Sequence, residues 1–334
     1  MHAPKKIHLV TQAYLRAWSS DGLLRPVSVR YGRQKLRSCA AVGWRREWWG
    51  SEDSTLNTVC EESCGKLEMV LPDALDAVEA RWPLCLSDRA VIAQFLALHV
   101  LRTDAFADGF GPVRDESLAR FRRRFPSQDG YERWRREMQS DRHRANKLLG
   151  MINKFATIFA SMHWTLLRFE EPLLVTGDQP VCPVPLLTPG LEAPIGAVPR
   201  DGWLDTCEVR CPLTPDLALL ASWHMGPPDP VLAGTWGHAV NINASVVAQS
   251  VEQYFQNRLR EPAMPPAIWR EPQRRFPPIS IEILEDYSLA AAVESPLRAQ
   301  TKRALEVLIE KQDRETITVI TPATGPARPS LVGS

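Results

Sequence analysis

Residues 86–106, LSDRAVIAQFLALHVLRTDAF, constrain this chain more than any other stretch. Wound into a helix, the segment is apolar on nearly every side. A helix of that kind is stable in water only when other elements cover it all round. The spacing therefore predicts a central, buried helix, with Ser87 or Asp88 as its cap. The run is too short and too interrupted to cross a bilayer, so no membrane partner is expected.

Two further helical patterns supply the cover. In residues 54–80, Leu56, Val59, Leu67, Val70 and Leu71 recur at helical intervals, with Ser54 or Thr55 as N-cap. Pro72 is expected to kink or end that helix. Residues 129–163 read as one long helix with a solvated first half. Its second half turns apolar through Leu148, Met151, Ile152, Phe155, Ile158, Phe159 and Met162. The opening HLVTQAYLRAW has roughly helical spacing, ended by the turn signal SSDG.

From residue 164 the period changes. WTLLRFE alternates, PLLVTGDQPV is a short apolar run, and CEVRCPLTPDLALLASW reads as two strands around a Thr-Pro-Asp turn. LLRPVSVRY alternates as well, and Pro26 marks it as an edge strand. VGWRREWWG is a strand or a loop over the core. NINASVVAQSVEQYFQN predicts a helix starting near Asn243. Beyond residue 260 prolines interrupt the chain, except for the strand candidates ISIEIL and ETITVIT and a helix between them capped by Ser295. The expectation is an α+β fold, a helical middle region packed on a mixed, mostly antiparallel sheet. Residues 1–260 form the main domain. Residues 261–334 form a strand-helix-strand extension with a loose, exposed tail.

The formal net charge is only +1, so the molecule as a whole exerts no pull on nucleic acid. Its distribution is uneven: residues 1–50 carry ten Lys/Arg against two acids, and 114–147 carry eleven against six, while 51–100 are acidic. The basic segments either form a face for phosphate or are neutralised by the acidic ones on folding. The seven cysteines sit mostly among apolar residues, which suits reduced thiols in a cytoplasmic protein. Cys60 and Cys64 would share a helix face. Cys207 and Cys211 on one strand would lie about 13 Å apart, too far for one zinc ion. The Walker, dinucleotide, serine-hydrolase and zincin motifs are absent from the sequence.

HLVTQAYLRAWSSDGLL resembles the opening of the family known as domain of unknown function 4238. His8, Gln12, Tyr14, Leu15 and Arg16 match its pattern, Thr11 stands where the family has Pro, and Trp18 where it has Phe. FLALHVLRTDAF resembles the family's buried helix ending in Arg-Thr, here Arg102 and Thr103. PLLVTGDQPV resembles its Ser-Asp-Asn-Pro strand end, with Gly177 in place of Ser, followed by Asp178 and Pro180. CPLTPDLALL and NINASVVAQSVEQYF follow in the same order. The resemblance spans about residues 5–258 and implies a fold and site positions, but no reaction.

Asp178, an acid ending a buried strand, is the leading catalytic candidate, with an Asx turn as the structural alternative. His8 is a candidate base or metal ligand. Arg102, at the end of the most apolar helix, would orient phosphate or pair with Asp178, Glu62 or Glu68. Glu61, Glu62 and Glu68 lie on the acidic helix, and Glu62 with Asp178 are the expected ligands of a divalent metal ion. Arg16, Trp44, Arg45 and Arg46 are candidate substrate contacts, able to stack on bases and meet phosphates, or else part of a Trp-rich lid. Together these suggest a metal-dependent, nuclease-like hydrolase acting on a phosphate-containing substrate. The alternative is a non-catalytic nucleic-acid-binding or protein-interaction module in which the same residues form a buried polar network. His8, in either case, is expected near Asp178, Arg102 or a Glu of the 60–68 helix.

Overall fold

The apolar stretch forms a helix whose first turn is exposed and which is buried from Arg89 onward apart from half-buried Val91. The structure, a computed structural model, describes residues 6–46, 54–103, 132, 135–136, 141–185, 207–222, 229–257 and 262–264. Helix α2 spans Ser54–Ala80, α3 spans Leu86–Leu101 and α4 spans Asp141–Ser161. α3 packs against both α2 and α4, and its residues from Ile92 to Leu101 are all buried. Burial of such side chains contributes roughly 1.5–3 kcal/mol each. α3 is capped by Cys85 rather than by Ser87 or Asp88. Asp88 lies instead in the first turn, where a carboxylate favours the helix dipole, and pairs with Arg81 at 3.1 Å. α2 continues through Pro72 as one helix. Pro72 is exposed, so its ring and missing N–H fall on the solvated side.

A buried cation on α3 went unread in the sequence. Arg89 pairs with Asp229 at 2.9 Å and donates to the carbonyls of Ala160 and Met162, tying α3 to the end of α4. Its guanidinium also lies 4.1 Å from the centre of the Trp164 ring.

Among the described residues the strands make one two-stranded and two five-stranded sheets. In the first five-stranded sheet, β6 (His163–Arg168), β10 (Leu217–Ser222), β9 (Cys207–Thr214) and β8 (Cys182–Pro185) run antiparallel in that order. β11 (Val231–Ala233) joins β6 in parallel. The second holds β3 (Gly32–Arg33), β2 (Leu23–Ser28), β12 (Gln253–Gln256) and β7 (Val175–Gly177), with β4 (Arg37–Ser38) also paired to β2. β1 (Lys6–His8) pairs with β5 (Trp44–Arg46), His8 opposite Trp44. The architecture is α+β and mostly antiparallel.

Three local expectations are corrected and one open alternative is resolved. The first segment is not helical throughout: β1 precedes α1 (Gln12–Ala17), whose N-cap Thr11 accepts from the Tyr14 N–H. VGWRREWWG supplies β5. Pro26 lies inside the sheet, opposite Phe255 of β12. On its other side β3 pairs only from Val27 and β4 only to Leu24, so no ladder bond is owed where Pro26 lacks its N–H. The late helix α5 (Trp236–Gln249) begins seven residues before Asn243, with a Thr235–His238 capping box. Asn243 is buried in mid-helix. Its amide receives the Val175 N–H and donates to the carbonyls of Leu173 and Ala263, fixing α5 beneath β7.

Tyr14 joins the opening helix to both large sheets, through Thr176 on β7 at 2.7 Å and the Pro212 carbonyl on β9. Leu15 and Trp18 are buried beside it. No helix among the described residues is long and apolar enough to cross a membrane. The strand candidates ISIEIL and ETITVIT, the Ser295-capped helix, the tail and most of 113–140 lie outside the described residues.

Candidate functional site

Asp178 follows β7 and closes a turn. Its backbone N–H donates to Gln253 at 3.0 Å. Its carboxylate accepts from the N–H groups of Val251 at 2.9 Å, Glu252 at 2.6 Å and Gln253 at 3.0 Å. The Asx-type arrangement thus spans more than seventy residues, clamping the connection between α5 and β12. Gly177 sits close below it: a Cβ there would meet Ser250 Oγ at 2.3 Å, which explains glycine where the resemblance has serine. Burial pushes the Asp178 carboxyl up to about 6, against the pull of its three N–H donors toward the charged form.

Asp178→Ala is expected to lower unfolding free energy by about 2–3 kcal/mol, because it strips acceptors from three backbone donors. Asp178→Asn keeps one acceptor and loses less. Folded Asp178 holds a proton between pH 3.8 and about 6 that the unfolded chain has released, so its contribution to stability falls as pH rises through that window. Denaturant titrations at pH 4.5 and 7 check this: the Asn variant loses that pH-dependent component.

Arg102 is the C-cap of α3, and its side chain is 1% exposed. It reaches α2 and pairs with Glu61 at 2.6 Å and Glu68 at 3.5 Å. The two glutamates lie seven apart on one face of α2. Burial opposes the Arg102 charge, but the neighbouring Cys64 and both glutamates outweigh it and hold the guanidinium charged. Burial raises the Glu68 carboxyl even with Arg102 beside it. Glu62, one residue along, is exposed, and among the described residues no hydrogen bond or ion pair links it to Asp178 or Arg102. No three His, Cys, Asp or Glu side chains form a metal-binding group among the described residues.

His8 is partly buried at the end of β1, its Nδ1 3.4 Å from the Gln12 amide. Its Nε2 has no hydrogen-bond partner among the described residues. Burial lowers its pKa most. The Ala40 carbonyl and Glu61 work the other way, and Arg102 adds to the lowering. The imidazole is therefore neutral at pH 7, within electrostatic range of Arg102 and Glu61.

Four of the candidate residues line one cleft of about 550 Å³: Trp44 and Arg45 on β5, Arg102, and Asp178. Thr103, Gln179 and Glu252 complete its polar wall, and Leu9, Val42 and Phe255 its apolar floor. Arg45 and Glu252 pair at 3.1 Å. The Lys6 ammonium lies 4.5 Å from the Trp44 ring centre. His8 adjoins the cleft through its neighbour Leu9. Arg16 is exposed on α1 and does not line it. Arg46 pairs with Lys6 through the backbone, and its side chain lies outside the described residues. Thr103 stood in the sequence only as the second residue of the Arg-Thr motif, while Gln179 and Glu252 were not singled out, although both fall within quoted stretches.

The fold and cleft define an α+β protein with a small polar cleft at the end of a mostly antiparallel sheet. The chain belongs to a family of proteins of unknown function, DUF4238, whose model matches residues 6–258 and so includes every residue lining the cleft. No curated protein matches the chain. No solved structure matches it either.

Proposed function

We propose that the protein is a binding module for a phosphate-containing ligand, nucleic acid by class, held in the cleft under β5. In this reading Arg102 and Asp178 form the buried polar network that shapes the cleft. One observation carries it. The cleft takes Trp44 and Arg45 from a stretch, Gly22 to Arg46, with seven Lys/Arg and no acid, and it is large enough for a nucleotide. Arg45 and Glu252 are 33% and 62% exposed, so their pairing is weak in water and a phosphate competes for the guanidinium. Trp44 offers an aromatic face to a base. Cys39, Cys64, Cys85, Cys182 and Cys211 are free thiols, which supports a reducing, cytoplasmic setting.

A second reading rests on His8. A neutral imidazole whose buried Nε2 has no hydrogen-bond partner among the described residues suits a general base. Here the protein is a hydrolase, with a divalent ion recruited by Asp178 and Glu62. Fluorescence anisotropy with a short single-stranded oligonucleotide separates the two. Trp44→Ala is expected to weaken binding about tenfold, as loss of one stacked base does, with an unchanged melting temperature. Unaltered affinity contradicts the cleft as the site. The same oligonucleotide, incubated with Mg²⁺ or Mn²⁺ and with a chelator, is expected to stay intact. Metal-dependent cleavage that His8→Ala abolishes, in a variant losing only about 1 kcal/mol of stability, would establish the hydrolase.

A further inference from the structure

The turn between β2 and β3 stands at the same end of the sheet as the cleft. The Val29 N–H donates to the Glu252 carbonyl at 3.0 Å, and Ser28 faces Gln253 across the β2–β12 ladder. Glu252 and Gln253 are cleft residues. The hairpin therefore begins where the cleft wall ends.

Its tip is held open by its own hydrogen bonds. Ser28 Oγ accepts from the N–H groups of Arg30 at 3.3 Å and Tyr31 at 3.2 Å. Gly32 turns the chain at φ 77°, a conformation that favours glycine. Tyr31 is left 84% exposed, the most exposed large apolar side chain among the described residues. A side chain of that size on a fixed turn presents a flat ring to solvent at little entropic cost on binding.

Past the tip, exposure alternates. Arg33, Lys35 and Arg37 face solvent, while Gln34 and Leu36 are half-buried. Arg33 and Arg37 both pair with β2, opposite Val27 and Leu24, so these cations follow one another along the same strand edge. Arg30 adds a fourth charge beside Tyr31. Among the described residues no ion pair engages Arg30, Lys35 or Arg37. A row of cations beside one exposed ring fits a flexible polyanion whose bases are free to stack, which a duplex does not offer.

We propose that the β2–β3 hairpin and the segment to Arg37 form a track for single-stranded nucleic acid, with Tyr31 stacking a base and Lys35 and Arg37 taking phosphates. The proposal rests on the reading of the cleft as a nucleic-acid site and extends it: the ligand is a strand longer than the cleft holds. Anisotropy with labelled single strands of about 4 and about 15 nucleotides tests it, spanning the usual site sizes. Tyr31→Ala is expected to weaken the longer strand about tenfold and leave the shorter one unchanged. Lys35→Ala with Arg37→Ala is expected to reduce the salt slope for the longer strand by about 1.4, two phosphate contacts' worth. All three residues are exposed, so the variants fold as the parent does. If Trp44→Ala weakens both strands while the hairpin variants bind as wild type, the track is overturned and the cleft reading stands. If Trp44→Ala changes nothing and the hairpin variants lose the longer strand, the cleft reading fails and the track stands alone. Tighter binding of duplex than of single strand overturns the track.

Discussion

Arg102→Ala is expected to destabilise the protein by about 3–5 kcal/mol, the usual cost of removing one partner from a buried ion pair. Its guanidinium is closed in by α2 and α3, with Glu61 and Glu68 as partners. Removing it leaves two carboxylates, each less than a quarter exposed, facing each other across a void. Glu68 already resists ionisation through burial, and Arg102 is what offsets that. Arg102→Leu combined with Glu61→Gln and Glu68→Gln is expected to recover most of the loss, since it removes the charges together with their counter-ion. Urea titration of the single and triple variants measures both. A single variant as stable as wild type would mean that Arg102 serves a ligand and not the fold.

His99 gives the second large effect. It sits in α3, where its Nδ1–H donates to the Phe95 carbonyl at 2.9 Å and its Nε2 receives the Thr11 N–H at 3.3 Å. The Thr11 bond needs the neutral ring, because protonating Nε2 removes the lone pair that accepts it. Burial brings its pKa down to about 3, and Arg102 adds to the lowering while the Phe95 carbonyl opposes it. In the unfolded chain the group titrates near 6.5. Between those values the unfolded state holds a proton that the folded state lacks, so stability rises with pH and is lost on acidification. The loss is about 1.4 kcal/mol per pH unit, reaching roughly 5 kcal/mol near pH 3. Asp178 acts in the opposite sense between pH 3.8 and about 6 and masks part of this in the whole protein. The difference between wild type and His99→Asn isolates it: the wild-type advantage at pH 7 should shrink by about 1.4 kcal/mol per unit between pH 6 and 4. Parallel stability profiles would show that His99 titrates normally.

These residues also mark where the sequence was legible. An all-round apolar run has one stable placement, so α3 could be placed at the centre without knowing its neighbours. The same apolar surroundings hid Arg89 and His99, whose partners come from segments far along the chain. Pro26 read as an edge because a proline's missing N–H shows in sequence, while the gap between β3 and β4 that accommodates it does not. Asn243 looked like a helix start because asparagine favours caps. Only the fold brings Leu173, Val175 and Ala263 around its amide. Asp178 was found as a strand-end acid, but whether it faced a ligand or the backbone depended on Val251–Gln253. Helix periodicity put Glu61 and Glu68 on one face. Only the structure shows that Arg102 falls between those two and bypasses Glu62.

The central claim is that the cleft and its basic rim hold a phosphate-bearing strand. It is tested most directly by anisotropy of the full-length protein with a single-stranded oligonucleotide of about 15 nucleotides across a salt series. The account predicts binding at low salt, with log K falling linearly against log salt at a slope of about −2 to −3, as three or four phosphate contacts require. No binding at low salt, or an affinity that salt leaves unchanged, would contradict it.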